Sequence, residues 1–160
     1  MNKRETKFWQ KLQRKFSSDL PKFEVERVEN KAVSFMPDVR YSTPFCQGWV
    51  ELKCGQLSKD RTTIDLKHFT RGQKNWIITN GKRHDYCWML CQCYTETGQD
   101  TTYFLLDHVG VEAIKPLTTV PWSMILKHAR RIWTGGMDIG SLALALQESQ
   151  EDRMMATDPC

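Results

Sequence analysis

The stretch QGWVELKCG, residues 47–55, constrains the fold more than any other part of the chain. Side chains of a strand alternate between its two faces, so Val50, Leu52 and Cys54 fall on one face and Trp49, Glu51 and Lys53 on the other. The apolar density predicts a strand inside a sheet. It also sets a carboxylate next to an ammonium on that strand, which is costly unless the two are paired or bind something. Two readings follow: a surface ion pair on an edge strand, or the middle of a functional site.

The rest of the chain supplies neighbours for that strand. Phe8, Trp9, Leu12 and Phe16 recur at helical spacing and predict an amphipathic helix over 3–16, ended by the Ser-Ser-Asp-Leu-Pro stretch at 17–21. Residues 22–30 alternate as a short half-buried strand, and 33–41 read as a second extended segment with Pro37 disfavouring helix at Met36. The polar stretch after Cys54, through Ser58 and Asp60, reads as a loop. Thr70 is placed to cap a helix through Gln73, Trp76 and Ile77 that stops at Asn80-Gly81. DYCWMLCQCYT and TTYFLLDHV predict two strands able to pair as an antiparallel hairpin. Pro121 opens a predicted helix carrying Trp122, Ile125, Leu126, Ala129 and Trp133, ended by Gly135-Gly136, and a last helix covers 139–148. The expected fold class is α/β: a mixed β-sheet core flanked by helices, with extra C-terminal helices. One domain is expected over 1–146, with a core over about 5–110 and a helical C-terminal part over about 119–148. A flexible acidic tail follows at 147–160.

Charge points toward a polyanion. The net charge is +4, but residues 1–22 hold seven basic and two acidic groups, and residues 53–83 hold eight and two. Solvated helix faces would give the same tally, so charge alone does not decide. No apolar run is long enough to cross a bilayer, and the basic start is too interrupted by charge to be a signal peptide. A cytoplasmic protein is expected, with no membrane association. The six cysteines then read as reduced thiols. Cys87, Cys91 and Cys93 alternate with Trp88, Leu90 and Tyr94 as a strand buried on both faces, not as a zinc site.

The chemistry lies in a Pro-Asp followed by Glu-x-Lys. Asp38 ends the extended segment before QGWVELKCG, and the intervening Pro44 and Gly48 have the turn chemistry to bring it back beside Glu51. Two converging carboxylates repel, and a hard divalent cation such as Mg²⁺ relieves that repulsion. A neighbouring ammonium can steady an attacking water or a phosphate.

VENKAVSFMPDVRY, GWVELKCG and HFTRGQKNWI together resemble the PD-(D/E)xK nuclease superfamily. More narrowly they look like its small VRR-NUC-type and Holliday-junction-resolvase-like members found in phages. The resemblance spans about residues 5–95 and implies a restriction-endonuclease-like fold and a Mg²⁺-dependent DNA endonuclease, with Mn²⁺ as a substitute. It also implies selectivity for branched DNA, and a host-cytoplasm location if phage-encoded. By the same resemblance Asp38 and Glu51 hold the metal with the backbone carbonyl of Leu52. Lys53 orients or activates water, and Gln73 positions Lys53 or a phosphate. A further acid from the first helix is expected at Glu5, which shares the Phe8–Trp9 stripe; fraying near the chain start is the competing reading. Two departures stand out: Phe35 and Met36 precede Pro37 where the family often has glycine, and the stretch between Lys53 and Gln73 is long and charged.

Around this set, Lys67, Arg71 and Lys74 are expected as phosphate contacts, and Trp49 as a substrate contact on the Glu51 face. His68 is a phosphate contact or a structural residue. Resolving a symmetric junction would call for a homodimer. The competing function is a catalytically inactive nuclease-fold module that binds nucleic acid or a protein partner.

Overall fold

A computed structural model describes residues 2–28, 35–84, 86–98 and 102–148. The predicted tail from 149 onward, and the part of the second extended segment at 33–34, lie outside these residues. The elements in chain order are α1 (Lys3–Asp19), β1 (Glu24–Arg27), β2 (Val39–Ser42), β3 (Gln47–Leu57), β4 (Thr63–Asp65), α2 (Arg71–His84) and β5 (Cys87–Tyr94). They continue with β6 (Tyr103–Asp107), α3 (His108–Ile114), β7 (Thr119–Pro121), α4 (Trp122–His128), β8 (Arg131–Trp133) and α5 (Ile139–Leu146). The described strands form one mixed sheet in the order β1-β2-β3-β5-β6-β8, with β4 joining β3 to β7. This is the expected class, an α/β chain with a mixed sheet core flanked by helices and further helices toward the C-terminus. No described helix is long and apolar enough to cross a membrane.

The alternation of β3 and β5 builds two apolar layers. Val50, Leu52, Cys54, Trp88 and Leu90 face Phe8, Trp9, Leu12 and Phe16 of α1 and Leu142 and Leu146 of α5. Cys87, Met89, Cys91 and Cys93 face the other way, onto Ile77 and Ile78 of α2, Val111 and Ile114 of α3, and Ile125 of α4. The three clustered cysteines therefore act as small core residues, as expected of a strand buried on both sides. Among the described residues, no group of three or more His, Cys, Asp or Glu is assembled as a ready-made metal cage.

The centre of β3 has an unusual edge. β5 runs parallel to it from Trp49 to Gln56 and takes one side. On the other side β2 pairs only from Gln47 to Val50, and β4 only at Gln56 and Leu57. Among the described residues, 51–55 thus have no strand neighbour on that side. Among the described residues, no strand separates the two faces there, and groups from both can meet.

Four expectations change. The helix after Thr70 does not stop at Asn80-Gly81 but runs on to His84. Gly81 is there for closeness: a Cβ would come within 2.4 Å of the His108 Cβ on α3. The predicted strand through Val109 ends at Asp107, whose side chain accepts a hydrogen bond from the Gly110 N–H and starts α3. The predicted helix from Pro121 to Trp133 is only α4; the chain is extended at Ala129, and β8 then pairs with β6. The polar loop after Cys54 contains β4, too short and too polar to betray itself by periodicity.

Gly81→Ala separates these readings of the helix. Propensity alone would stabilise it by about 1 kcal/mol, whereas overpacking against His108 predicts a loss of ~1–3 kcal/mol. The sign of the change in the urea midpoint decides.

Candidate active site

The opening in the sheet edge is where the chemistry-bearing residues collect. The β2–β3 register pairs Val39 with Val50, so Asp38 stands opposite Glu51, just past the last paired residues. Lys53 follows on the same face of β3. From the other layer, α1 brings Glu5. Its position is fixed by a capping box in which the Asn2 side chain accepts from the Glu5 N–H and Glu5 Oε2 accepts from the Asn2 N–H at 2.9 Å. Glu5 is therefore not frayed; it is 2% exposed and reaches the site. The N-x-x-E signature at 2–5 is the sequence signal that supports this.

Gln73 is aimed by a second capping box. Its N–H donates to Thr70 Oγ1 at 3.3 Å, and its own Oε1 accepts from the Thr70 N–H at 3.0 Å. With the carbonyl half committed, the amide nitrogen is left to donate to Glu51 Oε1 at 2.6 Å. Gln73 thus holds Glu51, where the resemblance had it positioning Lys53 or a phosphate.

Glu51 Oε1 also receives Lys53 Nζ at 2.7 Å, and Glu5 Oε1 lies 3.7 Å from the same ammonium. Glu51 is fully buried and Lys53 is 5% exposed. This excludes the reading of an exposed surface pair. The remaining oxygens are the informative ones. Asp38 Oδ2, Glu51 Oε2 and Glu5 Oε1 are each buried with no hydrogen-bond partner. A buried carboxylate oxygen normally has one. Three carboxyl groups also share one ammonium, so their full ionisation would leave an excess of negative charge in a buried site.

That imbalance shows in the acidities. Burial pushes the Glu51 carboxyl up to about 7; the Lys53 charge opposes this, and Asp38 and Glu5 add to it. Asp38 is likewise raised by burial, against Lys53 and a backbone hydrogen bond from Leu52. Burial alone would lower Lys53, but Glu51, Glu5 and Asp38 outweigh it and hold the ammonium above its ordinary value. Without a bound cation, Lys53 is therefore held as an ammonium.

The donor set fits a hard divalent cation. Asp38 Oδ2 and Glu51 Oε2, buried without a hydrogen bond, are the oxygens free to act as ligands.

The flanking residues divide. Arg71, Lys67 and His68 are exposed beside the start of α2, with Lys67 also paired to Asp65 at 3.4 Å. Lys74 departs from the expectation of a phosphate contact. It is 2% exposed, and its Nζ donates to the backbone carbonyls of Leu117 at 2.6 Å and Lys115 at 3.3 Å, bracing the segment after α3. Trp49 is half-buried and meets Trp76 edge to face. Phe35, one of the departures before Pro37, lies over Gly72, where a Cβ would meet its ring at 2.1 Å.

No family model matches the chain, and no curated protein matches it. Among solved structures, six chains match. One is Hjc of Archaeoglobus fulgidus, described as a Holliday junction resolvase from an archaeal hyperthermophile. The match covers 77% of this chain and 93% of that one, at 12% identity and a TM-score of 0.48.

Glu51→Gln tests the electrostatics without any substrate. A carboxyl whose folded pKa lies above its unfolded value holds an extra proton in the folded state, so its contribution to stability falls as pH rises from about 4.5 toward 7. In EDTA, the variant should therefore gain on the wild type between pH 5 and pH 8, by up to about 3 kcal/mol. Urea midpoints at the two pH values measure this; identical pH responses would contradict it.

Proposed function

We propose that this chain is a divalent-metal-dependent nuclease that hydrolyses DNA phosphodiester bonds on a restriction-endonuclease-like scaffold. The observation that carries the reading is the trio of buried carboxylate oxygens without a hydrogen bond, on Glu5, Asp38 and Glu51, around a single lysine. Mg²⁺, with Mn²⁺ as a substitute, would be held by Asp38 and Glu51, with the Leu52 carbonyl as a further ligand. When bound, such an ion lowers the pKa of a coordinated water and neutralises phosphate charge.

The chain's own residues supply the rest. Gln73 fixes the rotamer of Glu51 through the 2.6 Å bond, so that Oε2 keeps its direction. Lys53, charged and nearly buried, is placed to donate to the attacking water or to the oxygen that gains charge as the phosphorus–oxygen bond breaks. Glu5 holds Lys53 from the opposite layer and keeps the ammonium from collapsing wholly onto Glu51. Arg71 and Lys67 would position the DNA backbone without reading sequence. The resemblance of the Pro-Asp, Glu-x-Lys and Gln motifs to VRR-NUC-type and resolvase-like nucleases supports branched DNA as the substrate to try first. Two symmetric cuts would call for a second copy of the chain.

One observation favours a second reading, a nuclease-fold module that binds nucleic acid or a protein partner without cutting. Among the described residues no three ligands are yet assembled into a cage. The two readings part in one experiment, in which plasmid, linear and four-way-junction DNA are incubated with Mg²⁺ or EDTA. Cleavage is expected with Mg²⁺ alone, and Lys53→Ala and Asp38→Asn should each reduce it by about 10²–10³-fold while circular dichroism stays unchanged. Cleavage that persists in both variants would sink the site; binding with no cleavage by the wild type would favour the second reading.

A further inference from the structure

Trp49 precedes Glu51 by two residues on the same face of β3, and Trp76 follows Gln73 by three on the same side of α2. The strand and the helix that hold the candidate metal site thus each carry a tryptophan about one step away, roughly 7 Å along β3. The two rings meet edge to face, with centroids 5.8 Å apart and planes at 74°. Between them and the β2–β3 turn lies a half-open cavity of about 500 Å³, lined in part by Arg40, Phe45, Trp49, Trp76 and Asn80.

The chemistry of the lining is selective. No carboxylate lines the cavity, and Arg40 is its one charged lining residue among those described; its guanidinium donates to Gln47 Oε1 at 2.8 Å and pairs with the exposed Glu26 at 3.5 Å. Asn80 commits its amide nitrogen to the Trp76 carbonyl at 2.9 Å, which leaves its oxygen as an acceptor. Phe45 stands at the mouth and is 87% exposed. A lone exposed phenylalanine means little, but this one is held outward by a fixed turn. Thr43 Oγ1 accepts from the Phe45 and Cys46 N–H groups at 3.1 and 3.0 Å, and the Thr43 N–H donates to the Cys46 carbonyl at 2.8 Å. A flat indole face with a second indole at right angles to it, a rim arginine shared with Gln47 and Glu26, and an amide acceptor suit a heterocyclic base on a phosphate chain.

We infer that this cavity receives one unpaired nucleobase of the strand whose phosphate lies at Asp38 and Glu51. The base stacks on the face of Trp49 and meets Trp76, which stands nearly perpendicular to that ring, edge-on; Phe45 packs against the next base at the mouth. The inference rests on the nuclease reading and deepens it. A base still paired and stacked in a duplex cannot enter a side cavity, so the preferred DNA has an unpaired nucleotide beside the cut: a fork, a flap or a gap. Stacking tolerates any base, so the selection is for structure and not sequence.

The test uses fluorescently labelled fork DNA and a fully paired duplex of equal length, with binding followed by anisotropy in Ca²⁺. A single abasic nucleotide is moved through the positions next to the fork. For the wild type, one position should weaken binding by about tenfold when its base is removed. In Trp49→Ala that position should become indifferent, with binding already weakened by a similar factor; independent effects would multiply instead. Phe45→Ala, at a site too exposed to threaten folding, should weaken fork binding and leave duplex binding unchanged. Fork binding equally sensitive to abasic sites in wild type and Trp49→Ala, or unaffected by Phe45→Ala, overturns the inference. If Mg²⁺-dependent cleavage is seen alongside such a result, the nuclease reading stands without it. If no DNA of any form binds, both fall.

Discussion

Lys53 and Glu51 form an ion pair at 2.7 Å in the interior of the sheet, and the surrounding structure is arranged about the difficulty this creates. Taking both charges out of water costs several kcal/mol per ion, and one contact of good geometry repays only part of it. Glu5 and Asp38 then add negative charge where the pair already strains the balance. A single ammonium cannot satisfy three carboxylates. The outcome is a raised Glu51 and Asp38, a firmly charged Lys53, and one oxygen on each acid left without a hydrogen bond. As a device for stability the cluster is poor, since apolar residues of similar size would hold β3 as well. As a site awaiting two positive charges it is coherent.

The fold makes the cluster possible by leaving β3 incompletely paired. β2 covers its start and β4 its end, so residues 51–55 border a gap in which the α1 layer and the α2 layer communicate. Glu5 comes through from one side and Gln73 from the other. Each is held by a capping box at the first turn of its helix, so helix starts and the geometry of the cluster are the same structural feature. Losing a cap here would loosen a site residue as well as a helix end. The same two elements, β3 and α2, extend the site into the aromatic cavity without any additional loop.

Much of this was legible in the chain. Alternation in QGWVELKCG predicts β3 and the shared face of Glu51 and Lys53, because a strand has only one way to present such a pattern. The stripe from Phe8 to Phe16 predicts α1 and puts Glu5 on its buried side. Where short elements rely on tertiary pairing, the pattern misleads. Trp122, Ile125, Ala129 and Trp133 have helical spacing, yet the open edge of β6 captures Arg131–Trp133 as a strand. Asn80-Gly81 looks like a stop, but a Gly needed for contact with His108 is indistinguishable in sequence from one needed for a turn. Lys74 has the company of Lys67 and Arg71 in sequence, but it points inward to two carbonyls. The partner of Gln73 was hidden for another reason. Which half of an amide is free depends on the cap that uses the other half.

Glu5, Asp38 and Glu51, clustered around one lysine, should take up a divalent cation even without DNA. Calorimetric titration of the DNA-free protein with Mn²⁺ tests it most directly, since neither substrate nor turnover enters. Saturable binding at one site is predicted, abolished or greatly weakened in Asp38→Asn and in Glu51→Gln, with both variants folded. No saturable binding by the wild type, or binding that both variants retain at full strength, would contradict the account.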